Sequence, residues 1–424
     1  MSVPRVVRIV LVALGLAVPA VLQPVAALPA GAGSSGIGVG LRAAPVRAVP
    51  LGPDAPVVAA AISGNGRYVA YVVQVEPAEG ETDQPTRFLY RRDLRTGDTE
   101  EVLPGSNPSI GPAALSTDGN LIGATGWLDD RVDHALIGDV GAGTVQDISL
   151  ALSALDIASS VSVSGTGRYA LYAQVSQFLG SRLPAEIYRY DLRTRITELV
   201  SAGPTGIAEA DSADPAIAAD AGFAAFTSAA GNLVGGDRNR LPDVFVASLR
   251  TGVVQLASRG PAGPANGPST AAGISADGRW VPFTSAATNL VAGDRNGMSD
   301  VFVRDRRNGR VQLVSRGPAG PANGPSTAAG ISADGRWVLF TSGASNLVTG
   351  DTNGQPDVFV RDLRNGRVLR VSRAPEGAEP AGPSSAAGIS GDGRLAVFLT
   401  DRPGGGTGAY LRDLSTGTTT LLTR

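Results

Sequence analysis

The stretch from Pro268 to Arg316, "PSTAAGISADGRWVPFTSAATNLVAGDRNGMSDVFVRDRRNGRVQLVSR", decides the fold. It opens with a run of small residues, "PSTAAGIS", which reads as a first strand. "ADGR" follows as a tight hairpin, because a two-residue turn needs positive φ and Asp-Gly supplies it. "WVPFTS" is a second strand, and "AATNLVAGDRNGMS" a long loop. "DVFVRD" is a third strand, "RRNGR" a second tight turn and "VQLVSR" a fourth strand. Both "WVPFTS" and "DVFVRD" are apolar on both faces, so the sheet they form must be covered on both sides.

The unit recurs along the chain. Residues Ser258–Val281 reappear letter for letter as Ser315–Val338. With substitutions allowed, seven segments align on the same turn, at Ala61, Ala114, Ser162, Ala216, Gly273, Gly330 and Gly388. A period near 50 residues built from short strands is the pattern of a β-propeller. The expectation is an all-β, seven-bladed β-propeller of four-stranded antiparallel blades over 53–424. Small inner strands ("STAAGIS", "SSAAGIS") let seven sheets converge on one axis. Pro282 stands where the next copy has Leu339, and a proline inside a strand belongs at a bulge or a free edge.

"ISADGRWVLFTS…DVFVRD" resembles the WD40-like (PD40) repeat of TolB-type β-propellers in their extracytoplasmic bacterial form. The likeness is strong over 212–373, good over 384–424 and weaker before. Asn120 replaces the turn arginine in blade 2, and "ADAG" replaces "ADGR" in blade 4. The resemblance implies the propeller alone: the α/β domain that precedes the propeller in TolB has no counterpart here.

The N-terminus reads as an export signal over 1–32. Arg5 and Arg8 precede the apolar run Ile9–Ala20, and Val25/Ala27 or Ala30/Ala32 suit the cleavage pair. Pro19, Gln23 and Pro24 interrupt the roughly 20 apolar residues that a membrane span requires. No stable membrane insertion after cleavage is therefore expected, and an uncleaved anchor is the alternative. Residues 33–52 read as a flexible lead-in, with a candidate ring-closing strand at 44–50. The expected location is secreted or extracytoplasmic, in the cell envelope.

The 424 residues contain no Cys, which excludes disulfides, thiol nucleophiles and thiolate metal sites. All 36 basic residues are Arg, yet the net charge is only −2, so no pull toward nucleic acid is expected. The single His, His134, lies beside the position equivalent to Asp300, and no G-x-S-x-G elbow exists. The inner strands are almost free of ionisable groups, Asp156 and Asp214 excepted.

Strand order puts the tight turns on one face of the disc and the long loops on the other. The tight-turn face is rich in Arg (Arg279, Arg306, Arg307, Arg310, Arg336, Arg364, Arg367, Arg394), with Asp277, Asp305, Asp334, Asp362 and Asp392 to neutralise it. The long-loop face carries D-x-N-x-x-x-D three times: Asp237/Asn239/Asp243, Asp294/Asn296/Asp300 and Asp351/Asn353/Asp357. Two readings fit this spacing. Oxygen ligands so placed suit Ca²⁺, which takes six to eight of them. Asp and Asn are equally ordinary turn formers whose side chains bond the nearby backbone. The functional expectation is a non-catalytic, monomeric scaffold that binds a protein or cell-envelope glycan through the long-loop face. The alternative is an extracellular hydrolase or lyase using Asp and Arg side chains there.

Overall fold

The computed structural model describes residues 55–77, 84–103, 109–128, 131–150, 156–178, 181–403 and 405–423. The export signal, the lead-in and the candidate ring-closing strand at 44–50 lie outside them.

Seven four-stranded antiparallel sheets follow one another along the chain, each with its strands in sequential order, and no helix occurs among the described residues. The order of strands and turns read from the repeat is observed. Blade 5 is Ser269–Ala271, Trp280–Ser285, Asp300–Asp305 and Arg310–Leu313, its first and fourth strands shorter than the stretches "PSTAAGIS" and "VQLVSR". Three blade-to-blade linkers fold into hairpins with two-residue strands, such as Arg259–Gly260 against Gly263–Pro264.

Each blade is apolar on both faces because it is sandwiched. Ala225, Val244 and Val246 of blade 4 pack on Val281, Phe283 and Phe302 of blade 5, all buried. In six of the seven blades, the second and third strands hold an aromatic pair directly across from each other. Phe283 and Phe302 stack at 5.7 Å, and Phe340 and Phe359 repeat this at 5.7 Å. Such pairs are worth about 0.5–1.5 kcal/mol beyond their burial.

Pro282 lies where the sequence placed it. Inner strands of other blades slip register at this point, for instance between Ala328 and Gly330 in blade 6. In blade 5 the proline has no N–H to offer, and pairing of the inner strand ends at Ala271–Phe283.

Neighbouring blades are also tied by polar bonds. Thr227 Oγ1 accepts the Ala271 N–H at 2.9 Å, Thr284 that of Ala328 at 3.0 Å, and Thr341 that of Ala386 at 2.9 Å. Near the axis the tight turns bond to one another: Asn65 to Thr117, Thr117 to Gly165, Ala276 to Ala333, Ala333 to Gly391 and Gly391 to Gly64. The last of these joins blade 7 to blade 1, where Val57, Val69 and Tyr71 pack on Val397, Leu399 and Leu422. Among the described residues, blades 1 and 7 each contain four strands from one contiguous segment.

Candidate functional site

On the tight-turn face, five hairpin arginines are paired with aspartates. The turn arginine reaches the aspartate that ends the third strand of its own blade: Arg67–Asp93, Arg168–Asp191, Arg279–Asp305, Arg336–Asp362 and Arg394–Asp413, at 2.6–2.8 Å. The Arg279 guanidinium holds the Asp305 carboxyl below the usual range. Asp277, Asp334 and Asp392, expected to share this work, act mainly within the turn. Asp277 accepts from Ser275 Oγ and from the Arg279 N–H, and Asp334 and Asp392 repeat the arrangement. In blade 2, Asn120 donates to Asp139 in place of the missing arginine. In blade 4, Ala221 takes φ 56° where Gly278 has 71°. Gly278 is needed for space as well: a Cβ there would sit 2.3 Å from the Phe223 ring of the preceding blade.

On the long-loop face, each D-x-N-x-x-x-D loop brings its own residues together. Asp300 is fully buried at the start of the third strand. Its Oδ1 accepts from Ser315 Oγ at 2.5 Å, and that serine oxygen accepts the Val301 N–H at 2.9 Å. Asn296 Nδ2 donates to Asp300 Oδ2 at 2.6 Å and to the Ala322 carbonyl at 3.0 Å, while its Oδ1 accepts the Met298 N–H. Asp243, Asn239 and Ser258 reproduce this set in blade 4. Blade 6 follows the same plan. Asp357 accepts from Ser372 Oγ at 2.6 Å, Asn353 Nδ2 donates to the Pro380 carbonyl at 3.1 Å, and Asn353 Oδ1 accepts the Gln355 N–H at 3.1 Å.

The second and third positions of each motif thus act as a strand-entry clamp. For Asn239, Asn296 and Asn353 the sequence left oxygen ligation of a metal ion and turn formation both open. In all three the side-chain oxygen accepts a backbone N–H two residues on, and the amide nitrogen faces the linker carbonyl. These are the Asx-type bonds to the loop's own backbone that the turn-forming reading describes. The serine partner was not recognised in the sequence. Its signal was visible: a Ser in the "LASR", "LVSR" or "RVSR" that follows the fourth strand of blades 4, 5 and 6, 15 residues after the aspartate.

The first aspartate behaves differently. Asp237 and Asp294 are 6% and 5% exposed, and Oδ1 of each is buried without a hydrogen-bond partner. Burial raises both carboxyls, Asp294 to about 6 with Asp300 adding repulsion, and burial likewise raises Asp243 to about 6. In blade 6 the equivalent Asp351 forms an ion pair with Arg370 at 2.8 Å, and the same guanidinium nitrogen stands 3.5 Å from Asp357. Glu379 pairs with Arg370 from the linker side. Among the described residues, no three His, Cys, Asp or Glu side chains form a metal-holding group.

A concave groove of about 670 Å³ lies on the outer rim of blade 5, against the hairpin that links it to blade 4. Leu290, Val291, Val311 and Leu313 line its apolar part, and Arg259, Arg304, Arg310 and Arg316 its polar part, with no carboxylate in the lining. Arg304 is anchored by donating to the Arg259 carbonyl at 2.8 Å, and burial lowers its pKa. Composition had directed attention to the two flat faces, and the rim was missed. Only folding brings the linker of one blade beside the outer strand of the next.

His134 stands at the clamp position itself: the Ala135 N–H donates to Ser149 Oγ as Val301 does to Ser315, and His134 Nδ1 lies 3.0 Å from Asp147. Glu186 fills the same position in blade 3. It accepts from Ser201 and is pushed by burial up to about 8. Asp214 is held in a register shift of the inner strand by Thr227 Oγ1 at 2.9 Å.

No protein-family model matches the chain, and no curated protein matches it. Solved structures do. The β-propeller domain of the Trilobed protease from Pyrococcus furiosus superposes with a TM-score of 0.57 at 12% identity, over 88% of this chain and 98% of that one. The acylaminoacyl peptidase of Pyrococcus horikoshii gives 0.58 at 13%, over 87% of this chain and 52% of that one; the propeller spans about half of that enzyme. Oligogalacturonate lyase from Vibrio parahaemolyticus gives 0.54 at 12%, over 86% and 92%. These likenesses establish the fold. TolB from Acinetobacter baumannii is a looser match, at a TM-score of 0.41 and 17% identity over 83% of this chain and 79% of that one.

Proposed function

We propose that this chain is a secreted, non-catalytic β-propeller scaffold that binds an acidic glycan of the cell envelope. The observation that carries the reading is the rim groove. It gathers Arg259, Arg304, Arg310 and Arg316 over an apolar floor, and none of the four forms an ion pair among the described residues. On a chain where Arg67, Arg168, Arg279, Arg336 and Arg394 are each paired with an aspartate, four guanidinium groups with no carboxylate beside them in one concavity suit a polyanion. Guanidinium matches carboxylate in a bidentate way, and the pyranose faces of a uronate polymer would lie against Val291 and Val311. The reading moves the binding surface from the long-loop face to the rim. It favours binding over catalysis because the groove lining has no acid or base other than arginine.

The test is binding of the full chain to polygalacturonate, with neutral dextran as control. Binding to the acidic polymer alone is expected, weakening as salt rises because exposed charges are screened within about 10 Å at 0.1 M. The Arg310→Glu/Arg316→Glu variant should lose it. Equal retention of both polymers, or binding unchanged in the variant, would remove the groove from the function.

A further inference from the structure

Blades 4, 5 and 6 carry nearly the same long loop, yet they treat its first aspartate in two ways. In blade 6 the Arg370 guanidinium stands between Asp351, at 2.8 Å, and Asp357, at 3.5 Å. Arg370 lies across from Phe359 in the sheet, as Leu256 lies across from Phe245 and Leu313 from Phe302. Its partner Glu379 immediately precedes Pro380, whose carbonyl binds the loop asparagine, Asn353. In blades 4 and 5 that carbonyl belongs to Ala265 and Ala322, so the place of Glu379 is taken by Pro264 and Pro321. Two coordinated replacements therefore set blade 6 apart, and both bear on one point in space.

At that point blades 4 and 5 have two buried carboxylates and, among the described residues, no protein cation. Asp237 and Asp294 are more than nine-tenths buried, and Oδ1 of each is unpartnered. Each is close enough to Asp243 or Asp300 for the pair to repel. A buried carboxylate left without a partner is costly, and a pair of them more so. Blade 6 marks where the compensating charge belongs, because the guanidinium there faces the same two aspartates.

We propose that blades 4 and 5 each hold one divalent, oxygen-seeking cation between Asp237 and Asp243 and between Asp294 and Asp300, and that in blade 6 Arg370 has taken the place of that ion. Two carboxylates balance the charge of one such ion. Ca²⁺, which accepts backbone carbonyls and water beside carboxylates, is the cation of matching chemistry. The inference is independent of the rim groove: the groove test reads polymer retention, and this one reads ion stoichiometry.

The experiment is calorimetric titration of CaCl₂ into the full chain after chelator treatment at pH 7.5, with the thermal midpoint followed in parallel. The expected stoichiometry is two. It should fall to one in Asp237→Asn and in Asp294→Asn, and the midpoint should rise with Ca²⁺ in the parent chain. The variant Leu256→Arg/Pro264→Glu, which moves the blade 6 arrangement into blade 4, should fold in the absence of Ca²⁺ and bind one ion. No heat and no midpoint shift at millimolar Ca²⁺ would overturn the proposal and leave a shared proton as the occupant. Two ions retained in Asp237→Asn or in Asp294→Asn, or three bound by the parent chain, would overturn it as well. Should a substituted chain fail to fold, the parent stoichiometry still decides.

Discussion

The Gly391 N–H donates to the Gly64 carbonyl at 2.8 Å, joining the last blade to the first across more than three hundred residues of chain. The contact leaves no room for a side chain. A Cβ on Gly391 would lie 2.7 Å from the Gly64 oxygen and 3.3 Å from Ala333 Cβ. Gly391→Val should therefore lower the urea midpoint, by about 1–3 kcal/mol in stability as overpacking does. The fold should be kept, as read by an unchanged far-UV spectrum. An unaltered midpoint would show that the ring is closed chiefly by the apolar contact of Val57 and Tyr71 with Val397 and Leu422.

Thr227 links three elements: it bonds Asp214 in its own blade and accepts the Ala271 N–H of the next. Thr227→Val keeps the shape and removes both bonds. Leaving a buried donor unmet costs about 1–3 kcal/mol. Equilibrium unfolding should show a loss of that size, and the exposed control Thr251→Val should show almost none.

Ser315 is fully buried and holds the entry of the third strand by donating to Asp300 and accepting from Val301. Ser315→Ala should destabilise by about 1–3 kcal/mol for the same reason. In hydrogen exchange, the Val301 amide should lose protection before amides of blade 2 do.

Glu186 carries a pH dependence whose sign follows from its burial. Its folded pKa, about 8, lies above the ordinary 4.5, so the folded chain keeps a proton that the unfolded chain releases. Its contribution is full below about pH 4.5 and is lost as pH rises through 8. Stability of the parent chain should fall between pH 5 and 8. Glu186→Gln, which cannot ionise, should flatten that slope and be the more stable chain at pH 8. An identical slope in both chains would place the ionisation elsewhere. Asp93 acts on the acid side: the Arg67 guanidinium holds it at about 2, so its contribution is present above pH 4 and lost toward pH 2.

The architecture was legible because the repeat encodes it locally. "ADGR" specifies a turn wherever it occurs, strands apolar on both faces demand cover, and seven copies supply it. Pro282 could be placed at an interruption of pairing for the same local reason. The site was legible only in part. D-x-N-x-x-x-D and its backbone-bonding asparagines were visible, but the linker carbonyls that Asn239, Asn296 and Asn353 reach and the serine clamp were not. The substitution of Arg370 for Leu313 was present in the sequence as "VLRVSR" against "VQLVSR". Its meaning depends on Asp351, which lies 19 positions earlier and meets it only in the folded blade.

By itself, the sequence determined the fold class, the number of blades, the strand order and the two chemistries of the faces, because these follow from turn residues and strand periodicity within one unit. The tertiary structure alone decided which charges meet. Arg279, Arg336 and Arg394 found aspartates across their own blades, Arg370 found Asp351 and Asp357, and Arg259, Arg304, Arg310 and Arg316 converged on a rim groove with no carboxylate in its lining. Electrostatic partnership depends on distances of a few ångströms between groups far apart in the chain, and only the closed ring of sheets sets those distances.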